Sequence, residues 1–260
     1  MSWTEHVIWW HVYPLGFVGA PIREPDDDGP HHRARPLLPW LDHVTALGAN
    51  GLLLGPIFAS TTHGYDTEDF FRIDPRLGDD EDFTILIAEA HERGIKVCLD
   101  GVFNHVSERH PYVLDALANG PGSRYADWFP IEWNAPGGPR PKVFEGHGSL
   151  VALNHSNPEV RDYVAQVIEY WSARGVDAWR LDAAYSVDPT FWAAILPTAR
   201  ERHPHLWFLG EVIHGDYPAL VESSTYDSVT QYELWKAIWS SLKEENFFEL
   251  DHSLQRHNEF

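Results

Sequence analysis

The chain has 260 residues, enough to bury a full core as one α/β domain, a class that often runs to about 250 residues. Acidic side chains number 39 against 19 basic ones, and the net charge of −20 argues against a nucleic-acid partner, whose phosphates require a basic surface. No stretch approaches the roughly 20 apolar residues that cross a bilayer and no secretion signal is evident, so we expect a cytoplasmic protein without a membrane partner.

Six apolar runs predict β-strands, at residues 7–13, 51–58, 95–103, 176–182, 206–212 and 228–232. Helical patterning follows most of them, and candidate helices span 36–47, 81–93, 158–174 and 189–202. Gly48, Gly94 and Gly175 follow the first three helices, and glycine ends a helix at little cost because it adopts a left-handed backbone. This alternation predicts an α/β fold with parallel strands.

Two connections between these elements are long and polar. The first, after strand one, includes residues 26–30 and the pair His31 and His32, which could suggest a metal but fits a surface loop better. The second, between strands three and four, contains turn-forming residues at 134–141. Because connections of this length are usually functional or carry a small subdomain, we expect an excursion at one rim of the sheet.

Two residues on the predicted strands are expected to fill the core. Cys98 is the single cysteine, so it cannot form an internal disulfide, and its apolar neighbours favour an inert buried thiol over a nucleophile. The 12 tryptophans are numerous for this length, and such rings pack well on the apolar faces of sugars. For Trp179, inside a strand, we expect a core position instead.

Asp182 and Glu211 each end an apolar run, with a predicted helix between them. Parallel strands joined by a helix would place both acids on one rim, and cleavage of a glycosidic bond requires two carboxyl groups. Arg180 lies two positions before Asp182, on the same side of the strand, where it would lower the pKa of Asp182 and keep it ionised. The apolar run before Glu211 favours the protonated form that an acid requires. A purely structural ion pair between Arg180 and Asp182 is the alternative.

Short motifs occur in a fixed order along the chain. They are HGYDT at 63–67, DGVFNH at 100–105, RYADWF at 124–129, VALN at 151–154, NPEVR at 157–161, WRLDAA at 179–184 and GEV at 210–212. Together they resemble the signature regions of the α-amylase family of glycoside hydrolases, closest to its neopullulanase and cyclomaltodextrinase group. The resemblance implies a (β/α)8 TIM barrel, of which this chain covers about the first six units.

The same resemblance implies how the chain is divided. Residues 1–105 would form the first part of the barrel, and residues 106–157 a rim subdomain inserted after strand three. Residues 158–260 would continue the barrel and stop before strands seven and eight. We therefore expect the remaining C-terminal part of the barrel in a longer protein or in a separate chain.

The implied activity is retaining hydrolysis of α-glucosidic bonds in short α-glucans or maltooligosaccharides. Asp182 would be the nucleophile and Glu211 the acid/base; Tyr65, His105 and Arg180 would bind substrate, and Asp100 would support Arg180. No cofactor is expected. Asn104 resembles a calcium ligand of secreted members, but the other oxygen ligands that calcium requires are not evident.

The chain departs from the family pattern at two places. The family's third carboxylate, in an Asn-His-Asp turn after strand seven, is absent from this sequence. The similar segments 251–252 and 257–259 lie in a predicted helical stretch and are poor replacements. Ala184 and Tyr185 stand where secreted amylases commonly have Lys-His, so their acceptor-site contacts do not transfer.

Two other functions stay open at this point. One is a transglycosidase or isomerase on the same scaffold, such as a trehalose-synthase-like or sucrose-cleaving enzyme. The other is a non-catalytic barrel that binds sugar or a partner. Retention of Arg180, Asp182 and Glu211 argues against the second.

Overall fold

The computed structural model describes residues 2–23 and 30–258, so most of the predicted polar loop at 26–30, and Glu259, lie outside the described residues. The strands are β1 (Trp9–Val12), β2 (Gly51–Leu54), β3 (Phe58–Ser60), β4 (Thr67–Ile73), β5 (Lys96–Gly101), β6 (His105–Ser107), β7 (Ile131–Glu132), β8 (Arg140–Pro141), β9 (Leu150–Ala152), β10 (Ala178–Leu181), β11 (Trp207–Gly210) and β12 (Ser228–Val229). The α-helices are α1 (Pro14–Phe17), α2 (Leu38–Ala46), α3 (Asp80–Glu92), α4 (Pro111–Asn119), α5 (Pro158–Ser172), α6 (Pro189–Arg202), α7 (Tyr217–Ser224), α8 (Tyr232–Glu244) and α9 (Phe248–His257). None of these helices is both long and apolar enough to cross a membrane.

One six-stranded sheet organises the chain, in the order β1-β2-β5-β10-β11-β12, and every pairing in it is parallel. All six predicted strands and all four predicted helices are confirmed, with ends shifted by a few residues. Neighbouring strands in the sheet follow one another along the chain and are separated by helices. This is the arrangement of consecutive units of a (β/α)8 barrel.

The sheet is strongly curved. Trp9 on β1 and Trp207 on β11 stack with ring centroids 5.8 Å apart, although four strand-to-strand steps separate the two strands. In a flat sheet those steps would span about 19 Å. The sheet therefore forms an arc of a barrel, and the two rings meet inside it.

The two faces of the arc have different cores. Large rings fill the outer face between strands and helices, and Trp179 is fully buried there as predicted. The inner face carries the smaller cluster of Leu53, Cys98 and Ala178, against which Trp9 and Trp207 pack. Cys98 is fully buried and burial raises the pKa of its thiol, which confirms the inert core position.

The predicted second strand was too long. The chain leaves the sheet after Leu54, because Pro56 lacks the N–H that would continue the ladder. Phe58 instead begins β3, which pairs with β4 as an antiparallel hairpin absent from the sequence prediction. The turn of this hairpin contains residues 63–66.

The excursion between β5 and α5 has its own small elements. Strand β6 pairs antiparallel with β9, and β7 with β8, while α4 is a helix that the sequence prediction did not include. His110 caps α4, since its Nδ1 accepts a hydrogen bond from the Tyr112 N–H at 3.2 Å. The excursion therefore returns to the barrel as an ordered structure.

Helix α8 has an unusual distribution of side chains. Ala237, Ser240 and Ser241 are buried against the protein. Its large apolar residues are exposed along one stripe of i, i+3, i+4 and i+7 spacing: Trp235 (63%), Ile238 (44%), Trp239 (50%) and Leu242 (70%). We call this set the α8 stripe. Helix α8 follows β12 along the chain. Within the described residues, β12 pairs on one side only, as β1 does at the other end of the sheet.

Candidate active site

Arg180 lies at the centre of a cluster of three carboxyl groups. Its Nη1 lies 2.6 and 2.7 Å from the two oxygens of Asp100 and 3.0 Å from Oδ1 of Asp182. Its Nη2 lies 2.5 Å from Oε1 of Glu211. The structure thus brings together all four residues that the sequence placed at the ends of strands three, four and five.

Parallel strand pairing puts these side chains at one rim. In the register of the sheet, Arg180 on β10 stands beside Asp100 on β5. The N–H of Asp182 donates to the Gly101 carbonyl at 3.0 Å, and the N–H of Glu211 donates to the Leu181 carbonyl at 3.0 Å. These bonds extend the sheet to the two acids, so both lie where the strands leave their carboxyl ends.

The surroundings of Glu211 differ from the sequence prediction. Its Oε2 accepts a hydrogen bond from the Ala183 N–H at 2.8 Å, and its Oε1 accepts one from the Tyr232 hydroxyl at 2.8 Å as well as contacting Arg180. The predicted apolar environment is wrong, because the carboxylate lies past the strand, beyond the apolar side chains that precede it. Ala183 directs its N–H through a left-handed backbone, with φ 47° and ψ 34°.

Arg180 lowers the pKa of Asp182 as predicted, but the predicted net direction is wrong. Burial, and after it the negative charge of Asp100, raise the pKa of Asp182 to about 8 against the opposing effect of Arg180. Burial likewise raises the pKa of Asp100, to about 6. One guanidinium is shared by three carboxyl groups, so it cannot neutralise them all. A cluster of this composition retains a proton near neutral pH.

Tyr65 and His105 adjoin the cluster. The Tyr65 hydroxyl donates to Oδ2 of Asp100 at 3.3 Å, and the Tyr65 carbonyl accepts from Nε2 of His105 at 3.0 Å. Nδ1 of His105 accepts from the amide of Asn104 at 3.1 Å. Burial lowers the pKa of His105 to about 4, so the imidazole is neutral at pH 7 with both nitrogens engaged by the protein.

Some residues at the rim were not among the sequence-predicted candidates. Tyr232 was assigned to the end of the sixth strand, but the strand ends at Val229 and Tyr232 begins α8 beside Glu211. His11 on β1 also faces this region, since burial and the charge of Arg180 both lower its pKa. The sequence signal that could have found Tyr232 is its position just past the end of a barrel strand.

The residues considered as metal ligands already make contacts within the protein. The side-chain amide of Asn104 is buried and donates to His105. Within the described residues, His32, Asp79 and Asp82 have ligand atoms within 4.8 Å of one another. Asp82 already accepts a hydrogen bond from Nε of Arg35 at 2.6 Å, and this fixed positive charge opposes a cation there.

Comparison with known proteins identifies relatives of this arrangement. Residues 37–252 match the family described as alpha amylase, catalytic domain. A cyclomaltodextrinase from a Bacillus species is 34% identical over 257 residues, covering 91% of this chain and 46% of the relative. The intracellular maltogenic amylase of Bacillus subtilis is 34% identical over 234 residues, covering 84% of this chain and 40% of the relative.

A solved structure has the same fold over most of the chain. The ligand-free cyclic alpha-maltosyl-(1→6)-maltose hydrolase of Arthrobacter globiformis superposes with a TM-score of 0.82 at 30% identity, covering 92% of this chain and 58% of that one. The chain thus spans about half the length of the relatives that it matches.

Proposed function

The chain belongs to the α-amylase catalytic-domain family, and on this basis we propose that it carries the catalytic centre of a retaining enzyme that hydrolyses α-glucosidic bonds in short α-glucans. The observation that carries the proposal is the contact of one guanidinium, that of Arg180, with Asp100, Asp182 and Glu211 at the carboxyl ends of three adjacent parallel strands. A retaining mechanism requires two carboxyl groups on either side of one sugar carbon.

In the proposed mechanism Asp182 and Glu211 divide the two chemical tasks. An oxygen of ionised Asp182 attacks the anomeric carbon while the bond to the leaving sugar breaks, and Glu211 gives its proton to the leaving oxygen. Water then attacks the same carbon, Glu211 accepts the proton, and Asp182 is released. The reaction starts from ionised Asp182 and protonated Glu211.

The neighbouring residues would position the sugar and the charges. Arg180 balances the negative charge that Asp182 regains when the glycosyl bond to it breaks. The ring of Tyr65 would stack on the apolar face of the sugar bound for cleavage, held in place by its hydroxyl on Asp100. Tyr65 and Asn104 hold both ring nitrogens of neutral His105, so His105 would reach a sugar hydroxyl by exchanging one of these contacts. Asp100 supports Arg180 through its two hydrogen bonds.

The α8 stripe and the two open sheet edges support a further part of the proposal. A barrel strand that pairs on one side only leaves unsatisfied N–H and C=O groups, and exposure of large apolar side chains to water is unfavourable. We propose that the remaining C-terminal part of the barrel, in a longer protein or a separate chain, covers β1, β12 and the α8 stripe. That part would also supply the third carboxylate.

Substrate class and location follow from the same relationship. We propose an oligosaccharide substrate, since the cyclomaltodextrinase and the cyclic alpha-maltosyl-(1→6)-maltose hydrolase are named for such substrates, and no nucleic-acid or membrane partner. We propose a cytoplasmic location, consistent with the intracellular maltogenic amylase among the relatives.

The test uses the longest natural form of the protein that contains this chain. It is incubated with maltose, maltotriose, sucrose and trehalose, and the anomeric form of the first product is followed by NMR. Retention of the α-configuration with release of glucose or maltose supports the proposal. New glycosides without net hydrolysis would indicate a transglycosidase or isomerase, and sugar binding without any turnover would indicate a non-catalytic module.

A further inference from the structure

An aromatic row crosses from the barrel to the excursion at the catalytic rim. The ring of Phe144 stacks on His105 with centroids 4.7 Å apart and an interplanar angle of 16°. Tyr185 follows, with its ring centroid 6.5 Å from that of Phe144. Tyr185 is 38% exposed, so its ring is available to a ligand.

A hydrogen bond between two segments holds the outer end of this row. The Tyr185 hydroxyl donates to Oε1 of Glu145 at 2.7 Å. Glu145 reaches it from a tight turn in which Glu145 itself has φ 47° and Gly146 has φ 81°. A left-handed backbone at a residue other than glycine is unfavourable and is kept only where surrounding contacts fix it. We call the pair Tyr185–Glu145 the clasp.

The clasp lies on the side of the site where the leaving sugar departs. Tyr185 follows Asp182 by three positions, and its N–H donates to the Glu211 carbonyl at 3.1 Å. If Glu211 protonates the leaving oxygen, the leaving sugar has to lie beside Glu211 and therefore beside Tyr185. This step rests on the proposed function.

We propose that Tyr185 is a specificity-determining residue that binds the apolar face of the leaving glucosyl unit, and that Glu145 is a positioning residue that holds its ring in place. A sugar presents C–H groups on one face, and a partly exposed aromatic ring matches that face. The alternative is a surface hydrogen bond that only stabilises the excursion, and such exposed contacts contribute little to folding.

Two substrates separate these possibilities. Maltotriose has a sugar as its leaving group, whereas α-glucosyl fluoride releases a fluoride ion and leaves the leaving-sugar position empty. In the longest natural form of the protein, Tyr185→Phe should lower kcat/KM for maltotriose about fivefold, or roughly 1 kcal/mol, and that for α-glucosyl fluoride less than about twofold. Tyr185→Ala, which also removes the ring, should lower the maltotriose value about tenfold or more. Glu145→Gln should give a smaller fall than Tyr185→Phe, since its amide oxygen still accepts a hydrogen bond.

Glu132→Gln is the matched control. It makes the same substitution in the same excursion, but Glu132 pairs with Arg140 in the β7–β8 hairpin, away from the row. It should leave the ratio of the two kcat/KM values unchanged. An unchanged ratio of the two kcat/KM values in Tyr185→Phe, whether both values fall equally or neither falls, would overturn the clasp while leaving the proposed function intact.

A direct binding measurement covers an inactive protein. Maltose affinity is measured by calorimetry for the wild type, Tyr185→Phe and Glu132→Gln. Binding without turnover contradicts the proposed function and, with it, the role of Tyr185 toward a leaving sugar; weaker binding in Tyr185→Phe alone would then show only that the clasp contacts a bound sugar. A wild type that neither binds maltose nor cleaves either substrate contradicts both.

Discussion

Replacing Asp100 by asparagine should move the pH dependence of catalysis in a direction that the cluster geometry fixes. The substitution keeps the size of a fully buried side chain and removes one of three negative charges around Arg180. Oxygens of Asp100 and Asp182 each lie within 3.0 Å of the same nitrogen of Arg180, so they are at most about 6 Å apart. At an effective dielectric constant of about 20, that separation corresponds to nearly 3 kcal/mol, or about two pH units in the pKa of Asp182.

The sign of the effect follows from the ionisation that the mechanism needs. Burial and Asp100 together raise the pKa of Asp182, to about 8, so the ionised nucleophile is scarce at neutral pH. In Asp100→Asn the pKa of Asp182 falls toward about 6, and a larger fraction is ionised at pH 7. The acidic limb of kcat/KM should therefore move to lower pH by about two units.

The assay is the pH profile of kcat/KM on α-glucosyl fluoride. The pH dependence of kcat/KM reports the pKa values of the free enzyme, and the departure of fluoride depends little on protonation of the leaving group. Asp177→Asn is the matched control, because Asp177 is equally buried but pairs with His91 and Lys96 at the opposite end of β10. That variant should lose stability without moving the acidic limb. An acidic limb in Asp100→Asn that stays in place or moves to higher pH would refute the electrostatic reasoning.

Three further results are expected. Asp182→Asn should abolish the covalent glycosyl-enzyme. Glu211→Gln should still form it from α-glucosyl fluoride, because fluoride leaves without a proton, and should retain part of the turnover, since the attacking water has lost its base. Equal losses of the glycosyl-enzyme in both variants, measured by mass spectrometry, would reject these roles. Burial lowers the pKa of His110 to about 4, so the unfolded chain binds more protons than the folded one below pH 6.5, and the free energy of unfolding should fall from pH 6.5 to pH 4. His110→Asn, which keeps a cap for α4, should reduce that fall by up to about 3 kcal/mol in urea titrations. The same pH dependence in the variant and the wild type would contradict this expectation. Residues 1–260 expressed alone should be poorly soluble or partly unfolded and without hydrolysis. Trp239→Ser should raise the solubility of these residues expressed alone and lower the melting temperature of the longest natural form. An unchanged or higher melting temperature of that longer form would show that the α8 stripe is not covered.

The barrel could be predicted from the sequence because its strands are short apolar runs that end in turns. Ala178–Leu181 is buried throughout, whereas Trp207–Gly210 alternates between half-buried and buried positions, and a helix with a buried apolar face lies between them. The β3–β4 hairpin was missed because β4 does not alternate strictly between buried and exposed positions.

The candidate site was predictable in membership and less so in electrostatics. Asp100, Asp182 and Glu211 could be found because each ends a strand, and their roles stay predictions. The predicted direction for the pKa of Asp182 is wrong because one neighbouring charge, Arg180, does not offset burial and the other two carboxyl groups. Glu145 could not be found at all, since its contact with Tyr185 depends on where a long excursion returns.

The stacking of Trp9 on Trp207 also has a consequence for the order in which the protein folds. The two rings belong to the first and the fifth strand of the sheet, so their contact joins residues far apart in the sequence and forms only after the intervening strands are in place. During synthesis the inner face stays open until β11 has left the ribosome. Folding intermediates of this chain therefore expose the inner face of the arc to water for most of its synthesis, and transient shielding by a chaperone should raise the yield of native protein.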